Sequence, residues 1–323
     1  MHAPATTARR LWALSATPRF LRTSAAVTVV ALAVGVVSGG AVRLTGSGLG
    51  CSDWPTCTAT SIVAPLQFHA WVEFGNRLVN VVLTIGIVLV ALASLRRRPR
   101  RSDLAWLSWG LVAGVFAEIV LGGLTVLNKL APPFVMAHFL LAMVLVVYAA
   151  VLYQRCRRPD GAPGRRLVPR GHVLAGRAML AWTFVVVTLG TVVTSTGPHA
   201  GAPGVPRFHF SLHTVAQLHG TSVELLLALT VATMWSMHRA RVPQDVLRRA
   251  EVLLVVLVAQ AAVGYTQYFT GDPVALVAVH LTGATVLVVA MVFFNLGLYA
   301  YDPVARDQTV QVGVTGAREL ARI

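Results

Sequence analysis

Three histidines (138, 219 and 280), a glutamate at 73 and cysteines at 51 and 57 are the residues whose type and spacing point to chemistry. The histidines and Glu73 sit inside long apolar stretches, where an ionisable side chain is costly and marks function by default. Neutral imidazoles at matched depth on neighbouring helices can hold haem iron from its two axial sides, and His219 with His280 makes such a pair. One intramembrane histidine is explained as well by a hydrogen bond between helices. Two at equal depth, echoed by His138, favour iron in a porphyrin over zinc or copper, which would want thiolate or carboxylate help. Around Glu73 the chain reads His69-Ala70-Trp71-Val72-Glu73-Phe74-Gly75-Asn76-Arg77. At about 100° per residue, His69, Glu73 and Asn76 share one helix face. A carboxylate there can take or stabilise protons, while Arg77, one turn on, offers it an ion pair. Glu118 and Glu224 read as helix-packing residues. Cys51-Ser52-Asp53-Trp54-Pro55-Thr56-Cys57 can close on itself across a turn. A dithiol that exchanges or binds copper is the other reading, and Cys156 reads as a free thiol.

These residues need helices to position them, and the composition says which kind. The chain has 323 residues, 56% hydrophobic and only 12% charged, with 27 basic against 12 acidic residues. Soluble domains carry about 25% charged residues, so a conventional cytosolic enzyme is excluded. Eight stretches approach the roughly 20 apolar residues that cross hydrocarbon: 25–43, 69–95, 104–127, 133–154, 175–196, 211–237, 249–269 and 273–300. Of the 27 basic residues, 23 fall in the terminal tails and the even-numbered loops, leaving Arg43, Arg77, Lys129 and Arg207 on the other side. The positive-inside rule then puts both termini in the cytoplasm. The net charge of +15 is thereby explained without nucleic acid as a partner. The single lysine against 26 arginines fits a GC-rich bacterial genome, hence a bacterial plasma membrane. The first 24 residues lack a cleavable apolar core and read as a cytoplasmic tail.

The chain repeats itself. Glu118 and His138 recur as Gln260 and His280, 142 residues on; Arg43-Leu44-Thr45-Gly46 recurs near Thr194-Ser195-Thr196-Gly197 at 151, and His69 as His213 at 144. The expected fold is all-α: two tandem four-helix bundles, eight spans in all, related by a pseudo-twofold axis along the membrane normal. The units are a tail over 1–24, a first bundle over 25–157 with an external cysteine loop at 44–68, a linker over 158–174, a second bundle over 175–300, and a tail over 301–323. His138, His219, His280, Glu73 and Asn76 all fall on the order of 10 Å below the outer surface, at 1.5 Å per residue. That layer of inward-facing side chains is how bundles build cofactor sites.

With these motifs together the chain resembles the heme A synthase family, over about 25–300. The resemblance rests on the duplicated plan, on Arg43-Leu44-Thr45-Gly46-Ser47-Gly48 followed by Cys51 and Trp54-Pro55-Thr56-Cys57, on Glu73-Phe74-Gly75-Asn76-Arg77, and on the histidines at 138, 219 and 280. It implies that His219 and His280 would ligate a resident haem b acting as an electron conduit. His138 and Glu73 would hold the substrate, haem O, whose C8 methyl is oxidised to a formyl group with oxygen from water, giving haem A. Glu73 would be the functional carboxylate, and Cys51 with Cys57 an external disulfide. Asn76 stands where the family pattern Glu-x-x-His-Arg has histidine, so His138 would be a lone ligand with an open iron position, or His69 would substitute; Asn76, Arg77 and His69 are then substrate-haem contacts. Implied partners are haem O synthase, the terminal oxidase assembly machinery, a membrane quinone or other electron acceptor, the lipid bilayer and a second copy of the chain. The competing readings are a non-catalytic b-type cytochrome and, with less support, a transporter.

Overall fold

The computed structural model describes residues 16–301; the outer parts of both expected tails lie outside the described residues. Eight helices account for nearly all of it: α1 (Pro18–Leu44), α2 (Phe68–Arg96), α3 (Ser102–Leu127), α4 (Pro132–Cys156), α5 (Arg170–Thr196), α6 (Leu212–Arg239), α7 (Gln244–Phe269) and α8 (Val274–Leu296). Two short strands, β1 (Gly164–Arg166) and β2 (Tyr299–Tyr301), pair antiparallel between the α4–α5 linker and the segment after α8. Seven of the eight helices are long and apolar enough to cross a membrane. The eighth, α7, is of similar length but begins with Asp245, Arg248, Arg249 and Glu251.

The apolar runs and the helices do not share their ends. α1 starts at Pro18, inside the stretch expected to be tail, because Thr17 caps it by accepting from the Phe20 N–H and Pro18 suits the first turn. α5 and α7 likewise start five residues before their apolar runs, at Arg170 and Gln244. Hydropathy marks the hydrocarbon, whereas a helix continues past it through charged turns. α8 stops at Leu296, short of 300, because the chain turns there to form β2.

Two apolar clusters hold the helices together. One centres on Leu21, Leu32, Ile87, Leu104, Leu111 and Val146 from α1–α4. The other centres on Met179, Leu226, Leu253, Leu257, Met291 and Phe294 from α5–α8. Ala25, Ala91, Ala149 and Ala150 are wholly buried; such small residues let helix backbones approach where dispersion, rather than water exclusion, drives association. Large apolar side chains point outward instead, with Val82 70% and Trp106 79% exposed, as a lipid-facing surface requires. α4 and α1 both pack on α8, and α4 also meets α5, joining the halves.

The repeat extends to backbone bonds. In the α3–α4 turn the N–H groups of Asn128, Lys129 and Leu130 donate to the carbonyls of Leu124, Val126 and Thr125. In the α7–α8 turn Thr270, Gly271 and Asp272 donate to Thr266, Tyr268 and Gln267, each 142 positions on. Lys129 and Leu130 take positive φ of 51° and 58°, and Gly271 and Asp272 take 78° and 56°. Two equal turns close two helix hairpins, and each hairpin carries a histidine eight residues after the last turn residue, His138 after Leu130 and His280 after Asp272.

Candidate functional site

His219 and His280 come together between α6 and α8. Their ring centres are 6.3 Å apart with planes at 72°. One metal ion between two imidazoles needs two bonds of about 2 Å plus the distance from each ring centre to its nitrogen, which comes close to this separation. His219 Nδ1 faces the Val186 carbonyl at 3.1 Å; donating there leaves Nε2 with its lone pair free, the tautomer a metal ligand needs. His280 Nδ1 is buried with no hydrogen-bond partner, and Gln260 instead donates to the His280 backbone carbonyl at 2.7 Å. Among the described residues no group of three or more His, Cys, Asp or Glu could hold a metal ion by itself. A porphyrin iron asks only for one or two axial side chains, so this donor set fits a haem.

His138 stands alone in the corresponding place between α3 and α4. Its Nδ1 lies 3.1 Å from Glu118 Oε1, within ion-pair distance but off the line of a hydrogen bond, since the nitrogen makes none. Glu118 Oε2 is also buried without a partner. Glu118, read from the sequence as a packing residue, is therefore the carboxylate next to this ring. Its spacing from His138 equals that of Gln260 from His280, and that equality was the available signal.

Glu73 is brought to the cysteine loop. Its carboxylate is 5% exposed; Oε2 accepts from the Cys51 N–H at 2.8 Å and Oε1 from Arg77 Nη2 at 2.7 Å. Arg77 also donates to the carbonyls of Asp53 and Thr56, each at 3.0 Å. Cys51 and Cys57 form a disulfide, so the two sulfurs are not the free dithiol that copper would take. Trp54 covers Gly123 on α3, where an added Cβ would stand 2.5 Å from Trp54 Cδ2. The loop is thus clamped to α2 through Arg77 and to α3 through Trp54.

The shared face expected for His69, Glu73 and Asn76 divides among three partners. His69 is exposed and bonds Ser47 Oγ through Nδ1 at 2.8 Å, at the first turn of α2. Glu73 turns to the loop. Asn76 Oδ1 accepts from Ser38 Oγ of α1 at 2.6 Å. Nearness around a helical wheel sets direction only; the neighbouring element decides which group each side chain meets. Glu224 is exposed on α6 and accepts from the Tyr265 hydroxyl of α7, a pairing between helices that α6 alone could not announce.

With this geometry in place, comparison with known proteins is informative. A family model described as Cytochrome oxidase assembly protein matches residues 22–68 and 61–292. The chain is 35% identical over 128 residues to the Heme A synthase of Geobacillus kaustophilus, covering 38% of this chain and 39% of that protein. It thus spans about two fifths of the length of the Geobacillus relatives it matches. The Heme A synthase of Symbiobacterium thermophilum is 27% identical over 261 residues, covering 76% of this chain and 84% of the relative. That of a Bradyrhizobium species is 27% identical over 321 residues, covering 79% and 85%. With a family match running from α1 to α8, the chain belongs to the cytochrome oxidase assembly protein family and is similar to relatives named Heme A synthase.

Proposed function

We propose that this membrane protein is a heme A synthase that oxidises the C8 methyl of haem O to the formyl group of haem A, with oxygen from water. The observation that carries the reading is a half-buried histidine pair between two helices, at the separation one iron needs, in a chain of this family. Exchange of two methyl hydrogens for one oxygen of water releases four electrons and four protons, so the site must handle both. His219 and His280 would hold a haem b, which would supply one-electron transfer. In the first half His138 holds the substrate's iron from one side, Glu118 standing at its Nδ1. Asn76 stands where the family pattern has a second histidine, and an amide would be a poor iron ligand, so His138 would be the ligand this half offers the substrate iron. Glu73 takes up protons; Arg77 and the Cys51 N–H hold its carboxylate in one orientation. The disulfide loop keeps bulk water from that carboxylate. The basic ends of the helices face the cytoplasm of a bacterial plasma membrane, and the electrons leave to a quinone or another membrane carrier.

The test is co-expression with haem O synthase in a host that makes haem O, followed by haem extraction and chromatography. Haem A appears with the wild-type chain and not with Glu73→Ala or His138→Ala. Haem b in the purified protein with haem O unchanged would refute the enzyme and leave a non-catalytic b-type cytochrome.

A further inference from the structure

Each of the three half-buried histidines has a glycine pressed against its ring from the preceding helix. A Cβ at Gly122 on α3 would meet His138 Cε1 at 3.1 Å, at Gly190 on α5 His219 Cε1 at 3.2 Å, and at Gly264 on α7 His280 Cε1 at 2.9 Å. In all three the nearest atoms are the ring's Cε1 and its two nitrogens, and nothing else comes nearer. Four residues before each glycine, on the same face of the helix, stands a polar group that also meets that histidine: the Glu118 carboxylate at His138 Nδ1, the Val186 carbonyl at His219 Nδ1, and the Gln260 amide at the His280 backbone carbonyl. At His138 and His219 the glycine and the oxygen one turn earlier both meet the ring, whereas at His280 the glycine meets the ring and Gln260 holds the backbone beneath it.

The first copy contains a fourth such frame. Gly39 on α1 corresponds to Gly190 at the offset of 151 that links α1 and α5, and Gly35 corresponds to Val186. An added Cβ at Gly39 would have nothing within 4 Å. The side chain facing this part of α1 is Asn76, whose Oδ1 accepts from Ser38 Oγ at 2.6 Å, with the Gly35 carbonyl 3.1 Å from the same hydroxyl.

We propose that Gly122, Gly190 and Gly264 are positioning residues that fix the depth and tilt of the three histidine rings, and that Gly39 is a fourth seat facing position 76. This rests on the reading that these histidines hold haem iron. Ordinary helix packing would place backbone or apolar side chains against the glycines; here it is the imidazole that fills the space in every case. A ligand must be held within about 0.5 Å of its working position, and a methyl group at 2.9–3.2 Å from a ring carbon displaces the ring by a few tenths of an ångström or turns it. Gly264, the tightest, tolerates a side chain least.

The test uses the full chain purified with its resident haem, read by haem content, low-spin electron paramagnetic resonance and midpoint potential. Gly190→Ala keeps the haem but displaces the resonance and the potential; Gly264→Ala loses more than half of the haem. Gly86→Ala, where an added Cβ also meets nothing within 4 Å, leaves all three readings unchanged. Wild-type readings from Gly190→Ala and Gly264→Ala together would overturn the proposal. If Gly264→Ala fails to insert, Gly190→Ala alone decides. Loaded with excess haem, Asn76→His gains a second low-spin signal that Gly39→Ala in the same chain removes; no gain, or a gain indifferent to Gly39→Ala, overturns the fourth seat. A wild-type chain without haem would instead refute the proposed function.

Discussion

Replacing Arg77 with methionine asks how firmly the cysteine loop is held over Glu73. The guanidinium bonds Glu73 at 2.7 Å and the Asp53 and Thr56 carbonyls at 3.0 Å, so two of these partners belong to the loop itself. Breaking a buried ion pair costs about 3–5 kcal/mol. The Arg77 side chain is 21% exposed against 6% for Glu73, so water shares part of the loss and about 2–4 kcal/mol is expected. Methionine keeps the packing of the aliphatic stem. The loss falls on the docked state of the loop, and Cys51 and Cys57 are both 0% exposed in that state. A water-soluble thiol therefore reaches the disulfide through local opening. At about 1.4 kcal/mol per factor of ten, reduction speeds up by about 30- to 700-fold. The assay follows reduction by dithiothreitol in the solubilised full chain, trapping new thiols with a maleimide polymer and reading the gel shift. Cys156→Ser in every background removes the third thiol. Arg77→Lys falls between the two, since one ammonium cannot span a carboxylate and two carbonyls as a guanidinium does. A rate equal to wild type in Arg77→Met would refute the idea that this cation clamps the loop.

Other substitutions probe the remaining contacts. Glu73→Gln keeps the shape and the Arg77 bonds to the loop, so haem A production is lost while resident haem b, read by absorbance, stays at the wild-type level. Gly123→Ala pushes Trp54 off α3 and destabilises the loop by about 1–3 kcal/mol, seen as a shift in tryptophan emission and faster disulfide reduction. At the basic end, burial would raise the Asp160 carboxyl, but hydrogen bonds from Arg97 and Arg101 outweigh it and hold it below the ordinary range. A depressed carboxyl contributes stability that is present above the unfolded value of about 3.9 and is lost as pH falls through the folded one. The melting temperature therefore drops in acid below about pH 4 in wild type, and Asp160→Asn, with a lower melting temperature at neutral pH, shows a smaller drop.

Much of this was legible before any coordinates. The recurrence of Glu118 and His138 as Gln260 and His280, and of helix ends at fixed offsets, announced the two matching hairpins. Both are read along the chain, from residue types and from where apolar runs stop. What stayed hidden depends on contacts between elements. Glu118 beside His138, Trp54 on Gly123 and Glu224 beside Tyr265 each require the rotation of one helix against another, which no single run of residues encodes. Thr17-Pro18 is a cap signal in the sequence itself, so α1 begins inside the stretch that its charge assigns to the tail. His69 and Asn76 show the opposite case: they share a helical face with Glu73 yet bond to Ser47 and Ser38.

The central claim is that this chain makes haem A at a site served by a histidine-held haem b. Its most direct measurement is quantitative haem extraction from membranes of a haem O-producing host carrying wild-type, Glu73→Gln or His280→Ala chains. The account predicts haem A with wild type alone, and loss of the protein-bound haem b in His280→Ala but not in Glu73→Gln. Haem O unchanged by the wild-type chain, or haem b retained in full by His280→Ala, would contradict it.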